Sequence, residues 1–285
     1  MLGAIEAGGT KFVCAVSDED LNIVERTSFF TSYPLETLQK VFDFFDSYED
    51  LKSIGIGSFG PIDINKKSPK YGYVTSTPKP GWKDFNFLGE MKEHYNIPIG
   101  WTTDVNAACL GEYEVGSAIK DNSCIYLTIG TGIGGGAIFN GNFIEGFGHP
   151  EMGHIIVRPH PKDDFKGWCP YHGDCLEGLA AGPSVEKRYG VKAQILGPDH
   201  EIWNILAYYI AQGLVDYTLI LRPEKIILGG GVMKQRHILE LIKKEFIALL
   251  GDYVEVPPID QYIVNPSLGD NAGIIGGLIL AKQNL

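Results

Sequence analysis

Residues 151–177 concentrate side chains able to do chemistry. The stretch contains Glu151-Met-Gly-His154 and then Cys169-Pro-Tyr-His172-Gly-Asp-Cys175-Leu-Glu177. Two thiols and two imidazoles suit a tetrahedral zinc ion, and four protein donors leave no open position. Such a site builds structure and does not activate water. The carboxylates of Glu151 and Glu177 flank it, so zinc at His154, Cys169, His172 and Cys175 would fix a loop that presents them to a polar ligand. The competing reading is a scatter of surface His and Cys. Three donors within seven residues, two of them among only five cysteines, favour the metal.

A second candidate is Asp104. Residues 97–103 read as a strand and 104–116 as a helix, which sets Asp104 where open α/β sheets place ligands. Asp is also a favoured helix N-cap, and alone that reading would win. The alternative makes it a base that takes the proton of a substrate hydroxyl during phosphoryl transfer, kept ionised by the helix N-terminus.

Two glycine turns shift that balance. Gly8-Gly9-Thr10 separates apolar strands at 2–7 and 11–16, and Gly130-Thr131-Gly132-Ile133-Gly134 separates strands at 124–129 and 135–139. Each joins two strands as a hairpin. Walker and Rossmann loops both run into helices and are excluded by this order. Glycine at a hairpin tip still lets a phosphate approach backbone N–H groups. One such turn could be ordinary; two in matched positions point to phosphate and to an internal duplication. A third run, Gly229-Gly230-Gly231, follows a strand at 225–228 and is read as leading into a helix at 234–250, an order suited to a nucleotide.

The positioning elements also include a strand at 23–31 and helices at about 35–45, 183–189, 201–221 and 270–282. In the long helix Ile202, Ile205, Leu206, Tyr209, Ile210, Gly213 and Leu214 recur at helical spacing, so its aromatics are core. The last helix would return to the first half. Two domains are therefore expected: 1–117 with 270–285, and 118–269 carrying the zinc loop.

Composition bounds the function. Hydrophobic residues make up 44% and charged residues 21% of the 285, ordinary for a globular protein. A net charge of −11 disfavours nucleic acid. No apolar run approaches the ~20 residues of a membrane span, and the N-terminus lacks a basic signal-peptide region. Cys14, Cys109 and Cys124 lie in apolar surroundings as free thiols, which fits a cytoplasmic setting.

Together these motifs resemble the ROK family of sugar kinases, within the actin/hexokinase-like (ribonuclease H-like) α/β fold of duplicated domains facing across a cleft. The resemblance runs over nearly the whole chain: Glu6-Ala-Gly-Gly-Thr-Lys11, Asp104-Val-Asn-Ala-Ala108, Thr128-Ile-Gly-Thr-Gly-Ile-Gly134, Glu151-Met-Gly-His154 and the Cys/His cluster. The opening motif and Cys-x2-His-x2-Cys resemble bacterial zinc-containing fructokinases more than glucokinases. The resemblance implies transfer of the γ-phosphoryl of MgATP to the 6-hydroxyl of fructose, with Asp104 as base. It implies that Glu151, His154 and Glu177 hold sugar hydroxyls, joined by Gly60, Pro61, Thr77 and Thr103. Gly8, Gly9, Thr10, Lys11, Thr131, Gly132, Pro183 and Gly229–231 would line the nucleotide, Glu6 would serve the magnesium shell, and domain closure would exclude water. A homodimer is also implied.

Three departures stand out. Glu6 replaces the more usual Asp, Thr103 replaces the Asn common in glucose- and N-acetylmannosamine-phosphorylating relatives, and one His replaces a thiolate in the cluster. A broader hexokinase acting on mannose or glucose is the alternative. A sugar-sensing repressor would need a helix-turn-helix ahead of the first loop, which here starts at residue 6. A catalytically dead binding protein is opposed by Asp104 and both Gly-Thr loops.

Overall fold

The computed structural model describes residues 1–285. In chain order its elements are β1 (Leu2–Ala7), β2 (Lys11–Ser17), β3 (Ile23–Phe30), α1 (Pro34–Phe45), β4 (Ser53–Ser58), α2 (Phe87–His94), β5 (Ile99–Thr103) and α3 (Asp104–Val115). There follow β6 (Ser123–Ile129), β7 (Ile133–Phe139), β8 (Asn142–Phe143), α4 (Leu176–Ala180), α5 (Gly182–Tyr189), α6 (Ile202–Leu221) and β9 (Lys225–Gly229). The chain continues through α7 (Ile238–Leu250), α8 (Ile259–Tyr262), β10 (Ile263–Val264) and α9 (Ala272–Gln283). No helix is long and apolar enough to cross a membrane.

The chain divides into two compact units. The first comprises Met1–Gly116, Phe143–Pro150 and Asp270–Leu285, and the second Ser117–Asn142 and Glu151–Gly269. Residues 143–150, read from the sequence as part of the second domain, group with the first. Within that unit the Ile62 N–H donates to His149 Nε2 at 3.1 Å.

The first sheet has the order β3-β2-β1-β4-β5. β1 is antiparallel to β2 and parallel to β4, and β4 is parallel to β5. Alternation along β1 and β2 divides their side chains between two faces. Ile5, Ala7, Phe12, Cys14 and Val16 join a core with α1 and α2, while Leu2, Ala4, Val13 and Ala15 meet Ile274, Leu278 and Ala281 of α9. At two points this face tolerates only glycine. A Cβ on Gly55 of β4 would collide with the Gly277 carbonyl, and one on Gly276 with the Ala107 carbonyl of α3. The glycines therefore bring α9 against β4 and α3 at backbone distance.

The second sheet repeats the pattern as β10-β9-β6-β7-β8, with β6 antiparallel to β7 and parallel to β9. Its core contains Ile125, Leu127, Ile226 and Leu228 from the strands with Leu206, Ile210, Ile242 and Phe246 from α6 and α7, all buried.

Some boundaries differ from those the sequence suggested. β7 begins at Ile133, so the second glycine turn is shorter than 130–134. After Gly229–231 comes only a 3₁₀ turn, Val232–Lys234, and α7 starts at Ile238. The third glycine run therefore does not sit at the start of a long helix. A 3₁₀ turn at Gly269–Asn271 likewise precedes α9, which begins two residues later than read.

Candidate functional site

In the first unit, parallel pairing aligns the candidates. Ala7 lies opposite Ser58, and Ser58 opposite Thr103, at the carboxyl ends of β1, β4 and β5. The first glycine loop, Gly60-Pro61 and Asp104 therefore leave one edge of one sheet. The Phe59 N–H donates to the Ala7 carbonyl at 2.7 Å, tying the β4 loop to β1. Gly60-Pro61 is a cis peptide, and the Pro61 carbonyl accepts from the Thr75 N–H and hydroxyl. Thr77 is buried in the following loop, where its hydroxyl accepts from the Lys79 N–H.

Asp104 is not the N-cap. That position belongs to Thr103, whose hydroxyl accepts from the Asn106 N–H at 3.1 Å. A β-branched residue ending a strand is already extended, as a cap must be, and its oxygen reaches the third residue on. Asp104 is the first helical residue, with Oδ1 accepting from the Val105 N–H at 2.9 Å. Beneath it Gly57 leaves no room for a side chain, since a Cβ would stand 2.7 Å from Ala107 Cβ and 3.2 Å from Asp104 Cα. Capping by Thr103 thus relieves Asp104 of the role that competed with chemistry. Thr103 itself is 3% exposed.

Glu6 lies on the α9 face of β1, where a Cβ on Gly273 would stand 2.8 Å from Glu6 Cδ. Burial raises its pKa, opposed by the charges of Lys11 and Arg26 and reinforced by Asp270. A carboxylate so placed gains from a cation. The first loop is closed by the Gly8 N–H donating to the Lys11 carbonyl at 2.9 Å. Thr31, which sequence reading missed, supports it twice: its hydroxyl donates to the Gly8 carbonyl and its N–H to that of Thr10. Nothing lies within 4 Å of a Cβ built on Gly9.

In the second unit three glycine-bearing segments converge. The Gly182 N–H donates to the Gly130 carbonyl at 2.8 Å. A Cβ on Gly130 would stand 3.6 Å from the Gly231 nitrogen. The segments that carry Thr131 and Gly132, Pro183 at the start of α5, and Gly229–231 are thus neighbours. Gly230 has φ +92°, and its Cβ would press on the Ile129 backbone, so glycine is demanded there.

Glu177, in the first turn of α4, joins this loop to the metal-type cluster. Its Oε2 accepts from the Ile133 N–H at 2.9 Å, and its Oε1 lies 3.9 Å from His154 Nε2. The other imidazole nitrogen, His154 Nδ1, faces the sulfurs at 3.7 Å from Cys169 Sγ and 3.5 Å from Cys175 Sγ. His172 Nδ1 is 3.8 Å from Cys169 Sγ, and all four donors lie within 4.8 Å of one another. Zn–S and Zn–N bonds of about 2.3 and 2.1 Å at the tetrahedral angle give S···N edges of about 3.6 Å. The donor set fits zinc. Burial pushes the Cys175 thiol up to about 11, so metal binding there must displace a proton. The surrounding loop is held by reciprocal backbone bonds between Cys169 and Gly173 and by the Leu176 N–H on the Ile155 carbonyl. Glu151 is exposed, immediately before the 3₁₀ turn Met152–His154.

The model of the ROK family matches residues 2–284. The chain belongs to the ROK family. A fructokinase of Pediococcus pentosaceus is 52% identical over 100% of this chain and 99% of its own. One from Streptococcus mutans is 50% identical over 99% of this chain and 98% of its own. The crystal structure of a ROK family glucokinase from Streptomyces griseus, in complex with glucose and AMPPNP, aligns with TM-score 0.79 at 25% identity. That alignment covers 99% of both chains, and the duplicated mixed sheets are those of the ROK hexokinase fold.

Proposed function

We propose that this ROK protein is an ATP-dependent fructokinase that transfers the γ-phosphoryl of MgATP to the 6-hydroxyl of D-fructose. Full-length identity of 52% and 50% to two fructokinases carries the substrate. The placement of Asp104 supports the mechanism. As the first residue of α3, with its capping duty taken by Thr103, it can accept the sugar hydroxyl's proton as the oxygen attacks phosphorus. The Gly8–Thr10 and Gly130–Gly132 backbones offer N–H groups to phosphate, and Glu6 serves the magnesium that arrives with ATP.

Sugar recognition falls to Glu151, His154 and Glu177. With Nδ1 turned to the sulfurs, His154 keeps Nε2–H as a donor, and each carboxylate accepts hydroxyl hydrogen bonds. Zinc, held by His154, Cys169, His172 and Cys175, would supply a closed cross-link that fixes this geometry. A cytoplasmic setting agrees with five cysteines and no disulfide, and a homodimer completes the proposal.

The test is a coupled ADP-release assay with MgATP against fructose, mannose, glucose and N-acetylmannosamine. Preference for fructose is expected. Preference for another hexose would keep the chemistry and overturn the substrate. No sugar-dependent turnover in zinc-replete protein would leave a binding protein.

A further inference from the structure

The turn Met152–His154 carries one sugar-holding residue and follows another, yet it contains a single 3₁₀ turn and cannot hold its own orientation. Two supports fix it within the second unit. On one side Gly153 lies flat on β7, with no space for a Cβ against the Ile133 carbonyl. A Cβ on Gly135 would likewise meet Met152 Sδ at 2.5 Å. On the other side the Tyr217 hydroxyl, reaching from α6, donates to the Met152 carbonyl at 2.5 Å. Tyr217 is 5% and Met152 6% exposed, so this bond is made away from water.

Ile133 touches both Glu177 and the turn that carries His154. Its N–H holds Glu177, and its carbonyl abuts Gly153 next to His154. Packing of Gly153 on Ile133 sets the height of the turn. The Tyr217 bond acts on the preceding residue and sets the direction of its carbonyl, an orientation that the Gly153 contact does not itself specify. We infer that Tyr217 is a positioning residue for sugar recognition, fixing through the Met152 carbonyl the direction in which Glu151 and His154 present their side chains. This rests on the sugar-binding role proposed for those two residues.

The hydroxyl's bond is to the Met152 backbone, not to a zinc donor or a nucleotide-loop glycine, so its removal should separate the substrates. Tyr217→Phe deletes one oxygen and keeps the ring in its packing. The expected result is a rise of about tenfold in the fructose KM, the scale of one buried hydrogen bond lost. The ATP KM should stay within about twofold and zinc content should not change. Tyr262→Phe is the control. Its hydroxyl is equally buried, shared with Thr218 at 2.8 Å, and serves no turn of the sugar site. It should lower Tm comparably with the fructose KM unmoved.

A Tyr217→Phe enzyme with an unchanged fructose KM, or with both KM values raised in parallel, overturns the inference. The wild-type arm separates this from the parent reading. If wild type phosphorylates another hexose, the comparison is made with that sugar. If it phosphorylates none, the kinase reading and this inference fall together.

Discussion

The hairpin tip at Gly8–Thr10 and the tip at Gly130–Gly132 join equivalent strands in sheets of the same order, and both read Gly-Thr in sequence, yet they are built differently. The first is supported from the neighbouring strand, by Thr31 just after β3, and Gly9 faces open space. The second is supported from within: Glu177 Oε2 would lie 2.6 Å from a Cβ on Gly132, and Gly182 holds the Gly130 carbonyl. Neither Gly9 nor Gly132 has positive φ, so backbone conformation demands glycine at neither. At Gly9 the missing side chain leaves room for a ligand. At Gly132 it makes room for a carboxylate of the protein itself. The two matched positions thus give one loop with an open tip and one whose tip positions Glu177, the side chain proposed to hold sugar.

That contrast can be broken in several ways. Asp104→Asn, in the first unit, should cut turnover about a thousandfold, the usual scale of a lost general base, with Tm nearly unchanged. Turnover within tenfold of wild type would remove Asp104 as base. In the second unit Cys175→Ser should lose zinc, measured by atomic absorption, and raise the fructose KM ten- to a hundredfold while the ATP KM moves far less; retained stoichiometric zinc would show the cluster misread.

The two glycines provide the direct comparison. Gly132→Ala should raise the fructose KM several-fold more than Gly9→Ala does, because only the former displaces Glu177. Gly9→Ala should leave stability within about 0.5 kcal/mol and weaken ATP alone. Equal effects on both substrates from both variants would dissolve the distinction.

The smallest effect concerns pH. Burial raises the Glu6 pKa above its ordinary 4.5, so the folded chain binds that proton more tightly than the unfolded one. Its contribution to stability is therefore greatest below 4.5 and declines as pH rises toward the folded value. Glu6→Gln should remove this slope and raise Tm slightly at pH 7, without a gain near pH 4, while abolishing kinase activity. A fall in Tm at pH 7 would show that Glu6 is a stabilising partner and not a strained cation ligand.

Legibility followed sequence distance. The donors at 169, 172 and 175 were readable because one turn holds them, and β2 because Phe12-Val-Cys-Ala-Val16 is a short apolar run that follows a glycine turn. β4 gave no signal, since Ser-Ile-Gly-Ile-Gly-Ser lacks the bulk of a strand. Its glycines answer to α9 and to Asp104, partners more than 45 residues away in the chain. Tyr217 looked like core because its ring is core; only its oxygen has a second duty. Residues 143–150 carry no compositional break, so their grouping with the first unit could not be read. The start of α7 was set at Lys234 and not Ile238 because Lys234-Gln-Arg-His237 contains no Gly or Pro to mark the break.

The close fit of α9 bears on how the protein is made. The first unit cannot be completed until residues 270–285 have been synthesised, although its first 116 residues emerge long before them. At roughly 5–20 residues per second, the ribosome leaves that sheet uncovered for on the order of ten to thirty seconds. Throughout that interval Leu2, Ala4, Val13 and Ala15 present an apolar strip with no cover from α9. The segments of the second unit, by contrast, are all available before α9 appears. A nascent chain from which residue 269 has just emerged would hold one unit able to fold and one still open to chaperones.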